Sequence, residues 1–269
     1  MKLRIATWNI NSVRKRIESV EKFIKEYDID ILCLQEIKVH DDSFPMKDIK
    51  AMGFEHVAIN GQKAYHGVAT FSKIPFSKVD KIEFCKKGDA RHIATSFMTP
   101  SNGEVTIHNF YVPAGGDVAD VEENEKFKHK MDFLTEMTDM FKAQDNDTSQ
   151  ILVGDLNIAP HENDVWSHKQ LLKVVSHTPI EVEKLKQVQD SLNWQDMVRE
   201  HVPTSERLYS WWSYRSKDWK QSNKGRRLDH IWVSQPLSDK HTNMEIILEP
   251  RSWESPSDHA PIVADFDFS

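Results

Sequence analysis

Ile151-Leu152-Val153-Gly154-Asp155-Leu156-Asn157 is an apolar run that stops in an acid, a leucine and an amide. Its apolar part is too short for a helix and reads as a buried strand. Side chains alternate along a strand with a period of two, so Asp155 and Asn157 share one face at its end. Two readings of that end are open: the pair caps a turn before Pro160, as Asp and Asn commonly do, or it belongs to a polar site. Other stretches repeat the design. Leu3-Arg4-Ile5-Ala6-Thr7-Trp8-Asn9-Ile10 is strand-like and ends in Asn-Ile, and Asp30-Ile31-Leu32-Cys33-Leu34 leads into Gln35-Glu36. Arg227-Leu228-Asp229-His230-Ile231-Trp232-Val233 carries an acid inside it, and Ser257-Asp258-His259-Ala260-Pro261 precedes the apolar Ile262-Val263-Ala264. Carboxylates in apolar surroundings are costly unless they bind a cation or hydrogen-bond one another, so these interruptions point to one shared site.

At 269 residues and 39% hydrophobic content the chain has ample material for a packed core, and a single α/β domain over 1–269 is expected. No long apolar stretch follows the charged N-terminus and no run of about 18 apolar residues occurs, which predicts a soluble, cytoplasmic protein with no membrane association. The two cysteines, Cys33 and Cys85, form neither a metal-ligand spacing nor a disulfide framework and fit a reducing compartment. The net charge of −7 argues against a uniformly basic nucleic-acid binder, but acids gathered around a metal push the total down. Locally the balance reverses: Arg215, Lys217, Lys220, Lys224, Arg226 and Arg227 stand against Asp218 alone.

Along the chain, Ser12 is the predicted N-cap of a helix carrying Val13, Ile17, Val20 and Ile24 at helical spacing, so the first three elements read strand, helix, strand. A short helix opened by Pro45 and ended by Gly53 precedes strands at 54–59, 67–71, 79–84, 91–98 and 105–111, a succession expected to form antiparallel hairpins. Phe127, Met131, Leu134, Thr138 and Phe141 mark a helix within 121–143 that covers the sheet, and 181–199 is again helical. Ser210-Trp211-Trp212-Ser213-Tyr214 reads as an aromatic strand. The strand endings at Asn9 and Asn157 hint at two similar halves facing each other.

Taken together, Trp8-Asn9-Ile10-Asn11, Gln35-Glu36, Asn109-Phe110-Tyr111, Gly154-Asp155-Leu156-Asn157, Arg227-Leu228-Asp229 and Ser257-Asp258-His259-Ala260-Pro261 resemble the motif series of the exonuclease III family of AP endonucleases. The series runs in order from residue 3 to residue 266, essentially the whole chain. The resemblance implies a four-layered α/β sandwich, two mixed, mostly antiparallel sheets packed face to face with helices outside and a divalent-metal site at one end. It also implies a DNA-repair phosphodiesterase that cuts 5′ to abasic sites, removes blocked 3′ ends and 3′ phosphates and has 3′→5′ exonuclease activity. A monomer acting on double-stranded DNA is expected.

Phosphodiester hydrolysis needs a hard cation on the phosphate oxygens, a base to activate water, and donors for the growing negative charge. Glu36 matches a carboxylate ligand for Mg²⁺, with Mn²⁺ as a substitute. By resemblance Asn9 is a ligand or a ligand-orienting amide, Asp155 the general base and Asn157 a donor to the transition state, and both Asp155 and Asn157 are also candidate ligands. Asp258 and His259 are further candidates; beside a carboxylate His259 is a protonated donor to phosphate, and otherwise a neutral base. Tyr111 matches a phenol contacting phosphate, and Asp229 an acid that holds the site's hydrogen bonds or pairs with Arg227. For DNA, Arg91 resembles an arginine that enters the groove, Trp211 and Trp212 form an aromatic wall, and Lys220, Lys224, Arg226 and Arg227 meet phosphates.

Two departures from the family stand out. Val112-Pro113-Ala114-Gly115-Gly116 lacks the amide usual after the tyrosine, and Arg226 occupies a place that is tryptophan in some members. Two other function classes compete: a phosphatase or phosphodiesterase of the same superfamily acting on inositol phosphates or sphingomyelin, and a non-catalytic DNA-binding module. The basic and aromatic stretch favours a polyanionic duplex over a lipid head group. A pure binder gains nothing from acids that repel phosphate.

Overall fold

The computed structural model describes residues 1–216 and 218–269. Its organisation follows from strands with two buried faces. In β1 (Lys2–Asn9), Leu3 and Ile5 enter one apolar cluster while Ala6 and Trp8 enter another. A strand covered on both sides needs a layer below and a layer above.

The first sheet runs in the order β13 (His241–Ile246), β14 (Ile262–Asp267), β1, β2 (Ile31–Gln35), β4 (Val68–Ser72) and β3 (His56–Asn60). The second runs β5 (Lys78–Asp80), β6 (His92–Thr99), β7 (Gly103–Tyr111), β8 (Gln150–Asp155), β12 (Asp229–Val233) and β9 (Gln195–Asp196). Each is antiparallel except at one central pair, β1 with β2 and β7 with β8. A parallel pair needs a crossover, and α1 (Ile17–Tyr27) and α3 (Glu125–Lys142) supply the two crossovers. In this pattern β1 corresponds to β8, β2 to β7 and β14 to β12, so the two facing halves expected from Asn9 and Asn157 are present. A third, two-stranded ribbon pairs β10 (Trp211–Trp212) with β11 (Gly225–Arg226).

One cluster, with Ile5, Cys33, Ile107, Val153, Ile231 and Ala264, fills the space between the sheets. A second lies under α1 and α2 (Met46–Ala51), and a third under α3 and α5 (Pro179–Ser191), where Phe110, Leu152 and Trp232 meet Phe127 and Leu185. The layers are therefore helix, sheet, sheet, helix, as the resemblance implied. The short helices α4 (His168–Leu171), α6 (Met197–His201) and α7 (Trp219–Ser222) lie in the connections. Among the described residues no helix is long and apolar enough to cross a membrane.

Three expectations about elements change. Ser12 does not cap α1: it has φ 87°, and its N–H and that of Val13 bond to the carbonyls of Glu36 and Ile37, so the chain stays beside β2 for four more residues before turning. The helix expected over 181–199 ends at Ser191, because Asn193 turns left-handed and Asp196 both pairs with Trp232 and caps α6 through the N–H of Arg199. The strand expected over 79–84 covers only Lys78–Asp80.

Gly154 sits at φ 134°, where an added methyl group overlaps the carbonyl oxygen of Phe110 on β7. Gly154→Ala is expected to lower stability by about 2–4 kcal/mol in urea unfolding, since both the backbone angle and the parallel pairing must give way. An unchanged midpoint rules out this close approach as a constraint on the fold.

Candidate active site

The period of two that builds the inner core also places the polar groups. On the inward faces Ile5 gives way to Asn9, Cys33 to Gln35, Ile107 to Asn109 and Tyr111, and Val153 to Asp155. β12 runs the other way, so its Asp229 comes first and Ile231 second, at the same end. Equivalent strands then join across the sandwich. Asn9 Nδ2 donates to Asp155 Oδ2 at 2.9 Å, Gln35 Nε2 donates to Asn109 Oδ1 at 2.8 Å, and His259, just ahead of β14, lies 2.8 Å from Asp229 Oδ2 through Nδ1.

Glu36 follows β2 in the left-handed region at φ 49°, which turns its carboxylate to the end of the sandwich. Asn9 Nδ2 donates to Glu36 Oε1 at 2.9 Å, and Lys38 Nζ lies 2.9 Å from Oε2. Burial opposes the charge on Glu36, but Lys38 and Asn9 outweigh it and hold the carboxyl below its usual range. Among the described residues Glu36, Asp155 and His259 bring one ligand atom each within 4.8 Å of one another.

Asp155 is almost wholly buried. Its Oδ1 accepts from the Asn157 N–H at 2.9 Å, and its Oδ2 accepts from Asn9 and, at 3.2 Å, from Asn157 Nδ2. Burial pushes its carboxyl up to about 7 against the pull of His259. His259 faces Asp229 through Nδ1 and Asp155 through Nε2, the latter at 3.7 Å. Burial alone disfavours its cation, yet the two acids overcome that and raise it to about 10. The ring is therefore protonated at neutral pH. Tyr111 is also buried, and with Glu36 and Asp155 nearby its phenol keeps its proton far above the ordinary range.

Several sequence-predicted residues take other places. Asp258 points away from the three-residue group: Trp211 Nε1 donates to it at 2.9 Å and Asn11 Nδ2 at 3.2 Å, and Asp229, not its sequence neighbour, partners His259. Asn9 spends its N–H groups on both carboxylates while its Oδ1 accepts from the Asn11 N–H, the arrangement of an orienting amide. Asn157 likewise directs Nδ2 to Asp155 and to the Val112 carbonyl. Arg227 cannot meet a ligand, because it has no exposed surface and pairs with Asp164 at 2.8 Å and Asp196 at 2.8 Å, leaving Asp229 to His259. Arg91 is buried too, paired with Asp89, with its guanidinium 4.9 Å from the Tyr111 ring centre, where it props that ring instead of reaching outward. Trp212 is 3% exposed and packs on Trp219. Lys217 lies outside the described residues.

Trp211 borders the site, and Arg226 and Lys224 share a cleft with it. Trp211 bridges to His259 and pairs with Arg226. A cleft of about 740 Å³ is lined by Trp166, Trp211, Arg215, Lys224 and Arg226, with Asp117 on its rim. Cations lie over its aromatic rings, Lys224 at 4.8 Å from Trp166 and Arg226 at 5.3 Å from Trp211. Lys220 is exposed over Trp219, at 5.6 Å. Sequence reasoning missed Ser210, whose hydroxyl donates to Asp229 Oδ2 at 2.6 Å and accepts from the N–H groups of Leu228 and Asp229. It also missed Lys38. A lysine two residues beyond Glu36 and a serine opening an aromatic run were the only signals.

A family model described as the Endonuclease/Exonuclease/phosphatase family matches residues 6–259. The chain belongs to that family. It is 33% identical to exodeoxyribonuclease III of Haemophilus influenzae across 98% of this chain and 100% of that protein. An AP endonuclease from Archaeoglobus fulgidus superposes with a TM-score of 0.89 at 32% identity, covering 98% of this chain and 99% of its own. A 3′ phosphatase from Neisseria, solved with a product DNA hairpin, also superposes at 0.89, with 30% identity and the same coverage. In this endonuclease/exonuclease/phosphatase protein the oxygens of Glu36 and Asp155 suit a hard divalent cation that retains several waters. His259, protonated and held by Asp229, suits donation instead.

Two measurements follow from the geometry. The folded His259 value lies above the unfolded one of about 6.5, so its stabilising contribution is complete below pH ~6.5 and is lost as pH rises through about 10. In metal-free protein the ring is expected to titrate near 10 by NMR, and in Asp229→Asn to fall toward the ordinary value with a flatter stability profile; a wild-type ring neutral at pH 7 overturns the assignment. Arg227→Gln strands Asp196 and leaves Asp164 to Arg199 alone, and should cost about 3–5 kcal/mol in urea unfolding, while Lys224→Gln leaves stability unchanged. Equal midpoints for the two variants contradict the buried placement of Arg227.

Proposed function

We infer that this chain is a metal-dependent DNA-repair nuclease that hydrolyses phosphate esters in double-stranded DNA, cutting 5′ to abasic sites and clearing blocked 3′ ends. The observation that carries the reading is Glu36, Asp155 and His259 within 4.8 Å beside the cleft of Trp211, Lys224 and Arg226. Relatives named as an exodeoxyribonuclease III, an AP endonuclease and a 3′ phosphatase with bound DNA support the same substrate. It acts as a monomer on its duplex.

Glu36 and Asp155 would hold Mg²⁺, or Mn²⁺ in its place. Such an ion would supply Lewis-acid neutralisation of the phosphate oxygens. Asp155, held by the amides of Asn9 and Asn157, takes the proton of the attacking water. Asn157 keeps an amide beside the base. His259 and the Tyr111 phenol both carry protons at this pH and donate to the charge that grows on the phosphate. Arg226 and Lys224, over their tryptophans, meet the backbone phosphates that flank the reacting one.

The test is a duplex with a central abasic site and a second with a 3′ phosphate, each incubated with Mg²⁺ and with EDTA. Cleavage with Mg²⁺ alone is expected; preferential hydrolysis of inositol phosphates or sphingomyelin overturns the substrate. Asp155→Asn should retain DNA affinity and melting temperature but lower the single-turnover rate by roughly 10²–10⁴-fold. A stable Asp155→Asn protein that cuts at the wild-type rate sinks the general-base role.

A further inference from the structure

Behind the end of β8 lies a buried ion pair that no step of the hydrolysis uses. Lys130 of α3 and Glu181 of α5 have no exposed side-chain surface. The Lys130 ammonium donates to Glu181 Oε1 at 2.5 Å, to the Asn157 carbonyl at 2.8 Å and to the Ala114 carbonyl at 3.3 Å. Glu181 accepts from the Ser176 N–H with both oxygens at 2.9 Å, and its Oε2 accepts from the Thr178 N–H at 3.1 Å and the Thr178 hydroxyl at 2.6 Å. The chain of contacts reaches the cleft, since Arg226 Nη1 donates to Ser176 Oγ at 2.7 Å and to the Val175 carbonyl at 3.0 Å.

One ammonium therefore ties three loops together: the one after Tyr111, the one after Asp155 and the one that carries Ser176. These loops are poor at holding themselves. Asn157, Ser176, Gly115 and Gly116 all lie at positive φ, between 54° and 91°, where local preference does not select the conformation. The Asn157 carbonyl is directed at Lys130 while the N–H and side-chain amide of the same residue hold Asp155. Fixing that carbonyl restrains the residue whose N–H and side-chain amide orient the base.

Burying both charges is expensive, and an apolar pair of similar volume commonly packs as stably or better. What apolar side chains do not supply is direction, because they have no donors to aim at the carbonyls of Asn157 and Ala114. We propose that Lys130 and Glu181 are positioning residues for hydrolysis, holding Asn157 against Asp155 and tying the Arg226 side of the cleft to the same anchor. The proposal rests on the nuclease reading above.

The experiment compares wild type with Lys130→Met/Glu181→Leu, which removes both charges and keeps the volume. The double variant leaves the Ser176 and Thr178 N–H groups without their acceptor and should melt below wild type while remaining folded at the assay temperature. It should bind the abasic duplex within about threefold of wild type and lose about 10–100-fold in single-turnover rate per folded molecule at saturating DNA, the scale of a small misplacement of reacting groups. Should the double variant not fold, Glu181→Gln keeps the shape and the acceptor for Thr178, and its rate per folded molecule is read in the same assay. A reduced rate at near-normal affinity supports the role; a wild-type rate per folded molecule overturns it. A wild-type protein that leaves the duplex intact defeats the nuclease reading itself, a different outcome from active wild type with an equally active variant.

Discussion

The Asn9 amide, donating at once to Glu36 and Asp155, is the contact on which the site depends. Two carboxylates so close repel each other, and burial removes the water that would screen them. A neutral donor between them fixes their separation without cancelling the charge available to a cation. Lys38 and His259 supply the compensating positive charge from either side, Lys38 against Glu36 and His259 between Asp155 and Asp229. An acid at either position without its donor would be an unpaired buried charge, which is strongly destabilising.

The sandwich makes this arrangement possible because its inner core has an end. Apolar residues on the inward faces pack sheet on sheet along most of each strand, and at one end the same faces turn polar. Since β1 corresponds to β8, β2 to β7 and β14 to β12, each half presents its polar residue to its counterpart. Three cross-sheet hydrogen bonds then hold together what neither sheet could place alone. The stability of the core and the precision of the site share one cause: the registers of both sheets are set by the apolar alternation.

Charge is sorted by depth. Arg227 and Lys130 satisfy buried acids behind the site, Arg91 supports Tyr111, and Lys224 and Arg226 remain at the cleft. Adjacent arginines show how sharp that sorting is. Arg226 pairs with Trp211 at the edge of the ribbon, while the side chain of Arg227 points inward to Asp164 and Asp196. A protein with a net charge of −7 can thus offer a phosphate chain a cationic wall, because only a few cations need face it.

Most of the architecture was legible in the chain itself. Apolar runs in 3–10, 31–34, 105–111 and 151–157 marked the central strands and their polar interruptions pointed to one shared site, while the resemblance to the exonuclease III family, not periodicity, singled out Glu36, Asp155, Asp229 and His259. Local pattern alone could not tell which buried groups pair. Asp258 lies next to His259 in sequence but bonds to Trp211, and Asp229, thirty positions away, takes the histidine. Arg227 reads as one more cation in a basic run, and only its packing against Asp164 and Asp196 removes it from the surface. Sequence sets the order of polar and apolar groups along each strand. Partners and exposure were decided by the face-to-face packing of the two sheets, since charges choose among the neighbours that folding brings within a few ångströms, not among those adjacent along the chain.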